Sequence, residues 1–188
     1  MTDNAPTANE SSEPQGLELP RVELPSEKAA QEARDRQAIL TKPAGALGRL
    51  EELSIWAASV QGTCPPHRFA QPRVVIFVGD HGVARTASTS AYPPEVTAQM
   101  VLNFVAGGAA VNVLAREAGA IVRVIDVSVD CDPAYVEAIA PEVVAHRIRR
   151  GSGSIDREDA MTLEEARASF DLGRTIADDE IDRGTDLL

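Results

Sequence analysis

The chain has 188 residues, 44% of them hydrophobic, and a formal net charge of −11. That length and apolar share allow one main domain with a buried core. The acidic balance excludes nucleic acid as a principal partner, because phosphate binding needs clustered Lys and Arg.

Residues 1–24 are rich in Pro, Ser, Glu and Asn and predict a disordered tail. The polar Met1–Gln15 segment carries no Lys or Arg and so is not a secretory signal. A helical segment is expected over 25–66, and an α/β domain over 67–188. Ser26 caps a helix to about Leu40, with Ala30, Ala33, Ala38 and Ile39 as its packing side. Pro43 and Gly45 break it. A second helix runs from about Ala46 to Gln61 and stops at Gly62. Its Leu47, Leu50, Leu53, Trp56, Ala57 and Val60 fall on one apolar stripe, which makes Trp56 a core residue. Cys64-Pro65-Pro66-His67 is a turn with His67 at the surface. The two cysteines, Cys64 and Cys131, form no Cys-x-x-Cys pair and read as reduced thiols of a cytoplasmic protein.

Val74–Val78 is short, apolar and β-branched, as a strand buried on both faces should be. The connection from Gly79 to Pro94 is long for a strand-to-helix loop, and it carries Asp80, His81, Arg85, Thr86, Ser88, Thr89, Ser90 and Tyr92. Pro94 and Glu95 suit the first turn of a helix that reaches Glu117. Gly107-Gly108 costs that helix about 2 kcal/mol relative to alanine. The pair marks either a break into two helices or a close approach of backbone to another group. Gly119 ends the helix, and Ala120–Val127 is a second strand. Asp130–Pro141 is loop or short helix, Val143–Ile148 a third strand, and Gly151–Ser154 a flexible turn. Thr162 and Glu165 form a capping box for a helix to about Arg183. Thr185–Leu188 reads as the opening of another buried strand, from which the chain is expected to be cut short. No run of consecutive apolar residues approaches the about 20 that a membrane helix needs.

Strand, helix and strand in this order predict a parallel α/β sheet, whose ligands sit beyond the carboxyl ends of the strands. Gly79-Asp80-His81-Gly82 is such an end. A carboxylate beside an imidazole can serve as acid and base or bind a metal, or it can simply hydrogen-bond the loop into shape. Gly-x-Ser-x-Gly, Gly-x-x-x-x-Gly-Lys-Ser/Thr and Gly-x-Gly-x-x-Gly are all absent. Gly151-Ser152-Gly153 is a weak phosphate-loop candidate. Gln99 and Asn103 share a helix face, which either offers amides to a small planar ligand or is solvated.

Several linked stretches resemble one family. They are Thr41-Lys42-Pro43-Ala44-Gly45-Ala46-Leu47-Gly48-Arg49-Leu50-Glu51, then Gly79-Asp80-His81-Gly82-Val83-Ala84, then Ser90-Ala91-Tyr92-Pro93 with Val96-Thr97-Ala98-Gln99-Met100. Asn103-Phe104 through Gly107-Gly108 to Leu114, and Ala160-Met161-Thr162, follow in order. Together they resemble the N-terminal part of the nicotinate-nucleotide–dimethylbenzimidazole phosphoribosyltransferases. Ala46 stands where that family usually has Ser, and Arg85–Thr89 lacks the usual glycine before Ser-Ala-Tyr-Pro.

The resemblance implies a Rossmann-like parallel sheet with flanking helices, a small helical N-terminal subdomain and a homodimer. The implied reaction moves the phosphoribosyl group from nicotinate mononucleotide to 5,6-dimethylbenzimidazole, giving α-ribazole 5′-phosphate and nicotinate in cobalamin lower-ligand synthesis. It implies no metal and no cofactor. Asp80, His81, Gly82, Ser90 and Tyr92 would line the benzimidazole side, and Gln99 would hydrogen-bond near the aromatic base. The family's general-base glutamate lies beyond Leu188, so the isolated chain is expected to lack transferase activity. The competing readings are a non-catalytic small-molecule-binding or interaction module, and a metal-dependent hydrolase built on Asp80 and His81.

Overall fold

The computed structural model describes residues 21–188, so most of the expected tail lies outside the described residues. The chain divides into two compact units, one up to His67 and one from Arg68. In the first, α1 (Glu27–Ile39) and α2 (Arg49–Gln61) form a helix pair. The Ser26 hydroxyl accepts from the Ala29 N–H, and the Ser26 N–H donates to the Ser59 carbonyl at 2.8 Å. The buried side chains are Ala29, Ala30, Ala33 and Ala58, small enough to let the two backbones approach closely. Lys42 reaches across the intervening turn to Glu51 at 2.7 Å, and Glu51 also accepts from the Leu47 N–H. Lys42, with that N–H, holds the Glu51 carboxyl below its ordinary value.

Two expectations fail here. Ala38 and Ile39 are exposed rather than packed, while Ala30 and Ala33 are buried. The α2 stripe is also exposed, with Leu50 at 62% and Trp56 at 49%. Trp56 is therefore no core residue. The periodicity is real, but the face that packs on α1 is the alanine face.

The second unit is built on β1 (Arg73–Gly79) and β2 (Ile121–Ser128), which pair parallel from Arg73 against Ile121 to Val78 against Asp126. The register slips between Val78 and Gly79, which stands against Ser128. β1 is half-buried rather than buried on both faces, with Phe77 50% exposed. At its other edge, Leu187 makes a parallel bridge to Pro72, and the Arg73 N–H donates to the Leu187 carbonyl at 2.9 Å. Of the expected strand opening at Thr185–Leu188, the structure forms this single bridge at Leu187, and the sheet of the described residues is β1 and β2.

Between the strands run α3 (Val83–Thr86), α4 (Glu95–Val105) and α5 (Ala110–Ala118). Gly107-Gly108 is both a break and a close approach. Gly107 has φ +78, and a Cβ on Gly108 would stand 2.4 Å from Asn103 Oδ1. Asn112 caps the new start by accepting from Ala109 N–H and donating to the Phe104 carbonyl at 3.0 Å. Within Glu95–Ala118 an 18-residue window has a mean hydropathy of 1.5, enough to pass as a membrane span by length and composition. Much of that apolarity serves the core, where Ala98 and Val101 pack with Val124, Val129, Val136, Ala140 and Val143.

After β2 come α6 (Ala134–Glu137), α7 (Pro141–Val144) and α8 (Leu163–Asp182). The third strand expected over Val143–Ile148 is absent. Pro141 occupies the first turn of α7, where its fixed φ favours helix, and Val143 is buried from that helix. Ile148 and Arg149 reach the β2 end through the Val127 carbonyl without forming a strand ladder. Thr162 and Glu165 form the expected capping box at the start of α8.

Two buried carboxylates tie the elements together. Glu180 of α8 is fully buried, and Arg123 of β2 donates to its Oε1 at 2.7 Å. Arg73 of β1 lies 3.0 Å from Oε2, off the hydrogen-bond axis. Asp126 of β2 accepts from the Val129 N–H and from Arg147, whose Nη1 donates to the Cys131 carbonyl at 2.8 Å. Burial pulls the Arg147 guanidinium down, but Asp126 holds it above its ordinary value.

Removing one partner of a buried ion pair leaves the other uncompensated. Glu180→Ala is therefore expected to cost about 3–5 kcal/mol in urea denaturation; a loss below about 1 kcal/mol, the scale of an exposed pair, would show that Glu180 ties nothing.

Two more carboxyls are held below their ordinary values. Asp186 accepts from the N–H groups of Ala70 and Gln71. Glu165 accepts from the Thr162 N–H and pairs with Arg149. A depressed carboxyl contributes stability that is complete above its ordinary value, 3.8 for Asp186 and 4.5 for Glu165. That stability is lost as pH falls through the folded value. The melting temperature should therefore hold between about pH 7 and pH 5 and drop below about pH 4.5. In Asp186→Asn the acid drop should shrink, and an unchanged drop would remove Asp186 from the account.

Candidate functional site

The carboxyl ends of β1 and β2 open onto a cavity of about 430 Å³. Its lining comes from four stretches: Gly79–Arg85, Thr89–Met100 in part, Asp130, and Gly151-Ser152. This is where a parallel sheet presents its ligand. Val83, Ala84, Pro93, Pro94, Val96 and Met100 make the apolar part of the wall, and Ser90, Thr97 and Ser152 bring hydroxyls.

Asp80 is the joint of the site. Its Oδ1 accepts from the Thr97 hydroxyl at 2.6 Å, and its Oδ2 accepts from the Asp130 N–H at 2.8 Å. Its backbone N–H donates to the Ser128 carbonyl, and its own carbonyl accepts from the Ser152 N–H at 2.9 Å. Asp80 thus binds the β2 end, the start of α4 and the 151–153 turn to its own loop. His81 lines the same cavity from an exposed position. Among the described residues no three His, Cys, Asp or Glu side chains converge as metal ligands, so a metal-dependent hydrolase on Asp80 and His81 has no ligand set there.

Gly82 lies against the 151–153 turn. A Cβ at this position would meet the Gly153 carbonyl carbon and the Ser152 oxygen, each at 2.7 Å. Ser90 and Tyr92 both line the cavity from exposed positions, and the Ser90 hydroxyl bridges the Tyr92 N–H and carbonyl in a local turn. Gln99 is exposed on α4 and is not part of the lining, although Val96, Thr97 and Met100 around it are. Asn103 turns to Met100 and Gly108 rather than sharing a ligand face with Gln99.

The turn at 151–154 is not a loose connector. Gly151 is buried at φ +61, and its N–H donates to the Ser128 carbonyl at 3.0 Å. The Gly153 N–H donates to the Ala160 carbonyl at 2.7 Å. Sequence reasoning missed this wall, and missed Asp130, Thr97 and Met100. The one signal was Gly151-Ser152-Gly153 itself, weighed only as a phosphate loop.

A family model described as "Phosphoribosyltransferase" matches residues 22–188. The chain belongs to that phosphoribosyltransferase family. The nicotinate-nucleotide–dimethylbenzimidazole phosphoribosyltransferase of Mycolicibacterium paratuberculosis is 56% identical over 172 residues, which is 92% of this chain and 48% of the relative. The enzyme of that name from Mycobacterium tuberculosis is 56% identical over 167 residues, 89% of this chain and 45% of its own length. The crystal structure of the Thermus thermophilus enzyme superposes with a TM-score of 0.74 at 39% identity, covering 85% of this chain and 47% of that one. The chain therefore spans about half the length of the curated relatives it matches. The expected parallel α/β fold is the fold of these phosphoribosyltransferases.

At Gly82 two loop backbones of this chain touch. Gly82→Ala should push the 82–86 segment off the 151–153 turn, with faster amide exchange confined to both segments. Unchanged exchange there would show that the contact does not set the loop.

Proposed function

We propose that this chain forms the benzimidazole-binding wall of a nicotinate-nucleotide–dimethylbenzimidazole phosphoribosyltransferase. The observation that carries the reading is the 56% identity over 172 residues to an enzyme of that name, extending through the stretches that line the cavity. In the reaction, a benzimidazole ring nitrogen attacks C1′ of nicotinate mononucleotide. The C1′–N bond to the pyridinium breaks, and its electron pair neutralises the ring of the leaving nicotinate. The second benzimidazole nitrogen gives up its proton to a base. The products are α-ribazole 5′-phosphate and nicotinate, the first of them for the lower ligand of cobalamin.

A flat, neutral nucleophile needs an apolar slot with few polar groups to orient it. Val83, Ala84, Val96 and Met100 supply apolar walls, and Ser90 with Tyr92 stands at the rim. Asp80, His81 and Gly82 form the floor of that slot. Gln99 lies exposed one residue from the lining, where its amide can reach the edge of a base bound against α4. Neither acid of the cavity is free to take the proton. Asp80 accepts from Thr97 and Asp130, and Asp130 is held by Arg85 and Arg150. The base is a glutamate outside these 188 residues, as the family resemblance implies. No cofactor enters this chemistry. The working form is a cytoplasmic homodimer of the longer enzyme.

The occupied carboxylates favour binding without turnover by the chain alone. Fluorescence titration of the purified chain with 5,6-dimethylbenzimidazole should saturate, while nicotinate release from nicotinate mononucleotide stays at background. Saturable release would place a proton acceptor inside the chain and overturn this division of labour; failure to bind the base would overturn the reading itself.

A further inference from the structure

We propose that Asp130 is a positioning residue that fixes the width of the cavity by holding Arg85, and so sets which size of benzimidazole the site accepts. The inference rests on the function proposed above and adds a specificity determinant to it.

α3 is a single turn, Val83–Thr86, far too short to hold its own place. Its Val83 and Ala84 belong to the same apolar wall as Val96 and Met100 of α4. The gap between the two helices therefore depends on what tethers α3 to the rest of the unit. Three tethers are present. Gly82 lies against the backbone of Ser152 and Gly153. The Thr86 hydroxyl donates to Asp156 Oδ1 at 2.8 Å. Arg85 pairs with Asp130 Oδ2.

The third tether differs from an ordinary surface pair. Exposed ion pairs contribute little, because water screens them and two long side chains must be ordered. Here the Asp130 side chain is only 14% exposed, while Arg85 is 54% exposed. The Asp130 carboxylate lies between two arginines, Arg85 and Arg150, and its backbone is tied to Asp80. Arg150 Nε donates to its Oδ1 at 2.7 Å, its own N–H donates to Asp80 Oδ2, and its Cβ stands 3.4 Å from where a Gly151 Cβ would be. The fixed partner is Asp130 and the guest is Arg85. Asp130 connects α3 to the Asp80 joint and, through it, to Thr97 of α4. One hydrogen-bonded chain thus spans both walls of the slot.

The test compares the affinities of the purified chain for 5,6-dimethylbenzimidazole and for unsubstituted benzimidazole, by fluorescence titration. A fitted apolar pocket can separate ligands differing by one methylene by about tenfold. In Arg85→Gln the ratio of the two affinities should fall toward one, and the amides of residues 82–87 should exchange faster. Arg85→Lys keeps the charge and should keep most of the ratio. Asp130→Asn should behave like Arg85→Gln if it folds, and Arg85 is exposed enough for its variants to fold in any case. A wild-type ratio carried unchanged by a folded Arg85→Gln, or unchanged exchange at 82–87, overturns the inference and leaves the proposed function standing. A wild-type chain that binds neither base overturns both.

Discussion

The site depends on the Asp80 side chain and the four hydrogen bonds that converge on its residue. A carboxylate at the end of a parallel strand has empty space beyond it, and a long loop there has no ladder to hold it. Asp80 supplies the missing constraint. One oxygen takes the Thr97 hydroxyl and the other the Asp130 N–H, while its backbone joins Ser128 and Ser152. Hydrogen bonds to an ionised group are among the stronger ones, about 1.5–3 kcal/mol each. The cavity walls come from four separate stretches of the chain, and Asp80, which lies in the first, is bonded to each of the other three.

Glu180 does the corresponding work at the other end of the sheet. The side chains that are fully buried are few and mostly small, with Ile125 and Ile176 the largest aliphatic ones. A core of alanine and valine offers modest burial energy, so the polar frame carries more of the specificity of packing. Glu180 takes Arg73 from β1 and Arg123 from β2, which fixes α8 against the first residues of both strands. Asp186, just after α8, then accepts from Ala70 and Gln71 just before β1. Leu187 is thereby set beside Pro72 in a single bridge at the amino end of β1, away from the cavity at the carboxyl end.

What could be read from the residues, and what could not, follows from the range of the forces involved. Local rules worked. Ser26 and Thr162 cap their helices, Gly62 and Gly119 stop theirs in the left-handed conformation, and Gly107-Gly108 divides a helix. The parallel pair of strands and the Gly79–Gly82 site followed from alternation and from where parallel sheets place ligands. Failures came where partners decide. Val143–Ile148 has strand-like composition, but Pro141 starts a helix and Ala140 and Val143 bury it. The α2 stripe has a sound helical period, yet α1 packs on the alanine face instead. No local signal marks Asp130, because its partners lie at Asp80, Arg85 and Arg150. Nor could Gln99 be separated from the lining by composition, since Val96, Thr97 and Met100 near it line the cavity and it does not.

The same hydrogen bonds that build the slot decide what chemistry it can do. A general base needs a lone pair directed at the proton it removes and free of stronger donors. Asp80 has its two oxygens engaged by a hydroxyl and an N–H, and Asp130 has its two engaged by guanidinium groups. Releasing either would cost the loop the contact that shapes it. A carboxylate cannot both hold the walls at a fixed spacing and move to accept a proton without loosening them. Acids used as struts leave His81 as an exposed titratable side chain of the cavity, and under the function proposed above the chain's own contribution is orientation, in a slot whose walls are held by those struts and closed on apolar side chains.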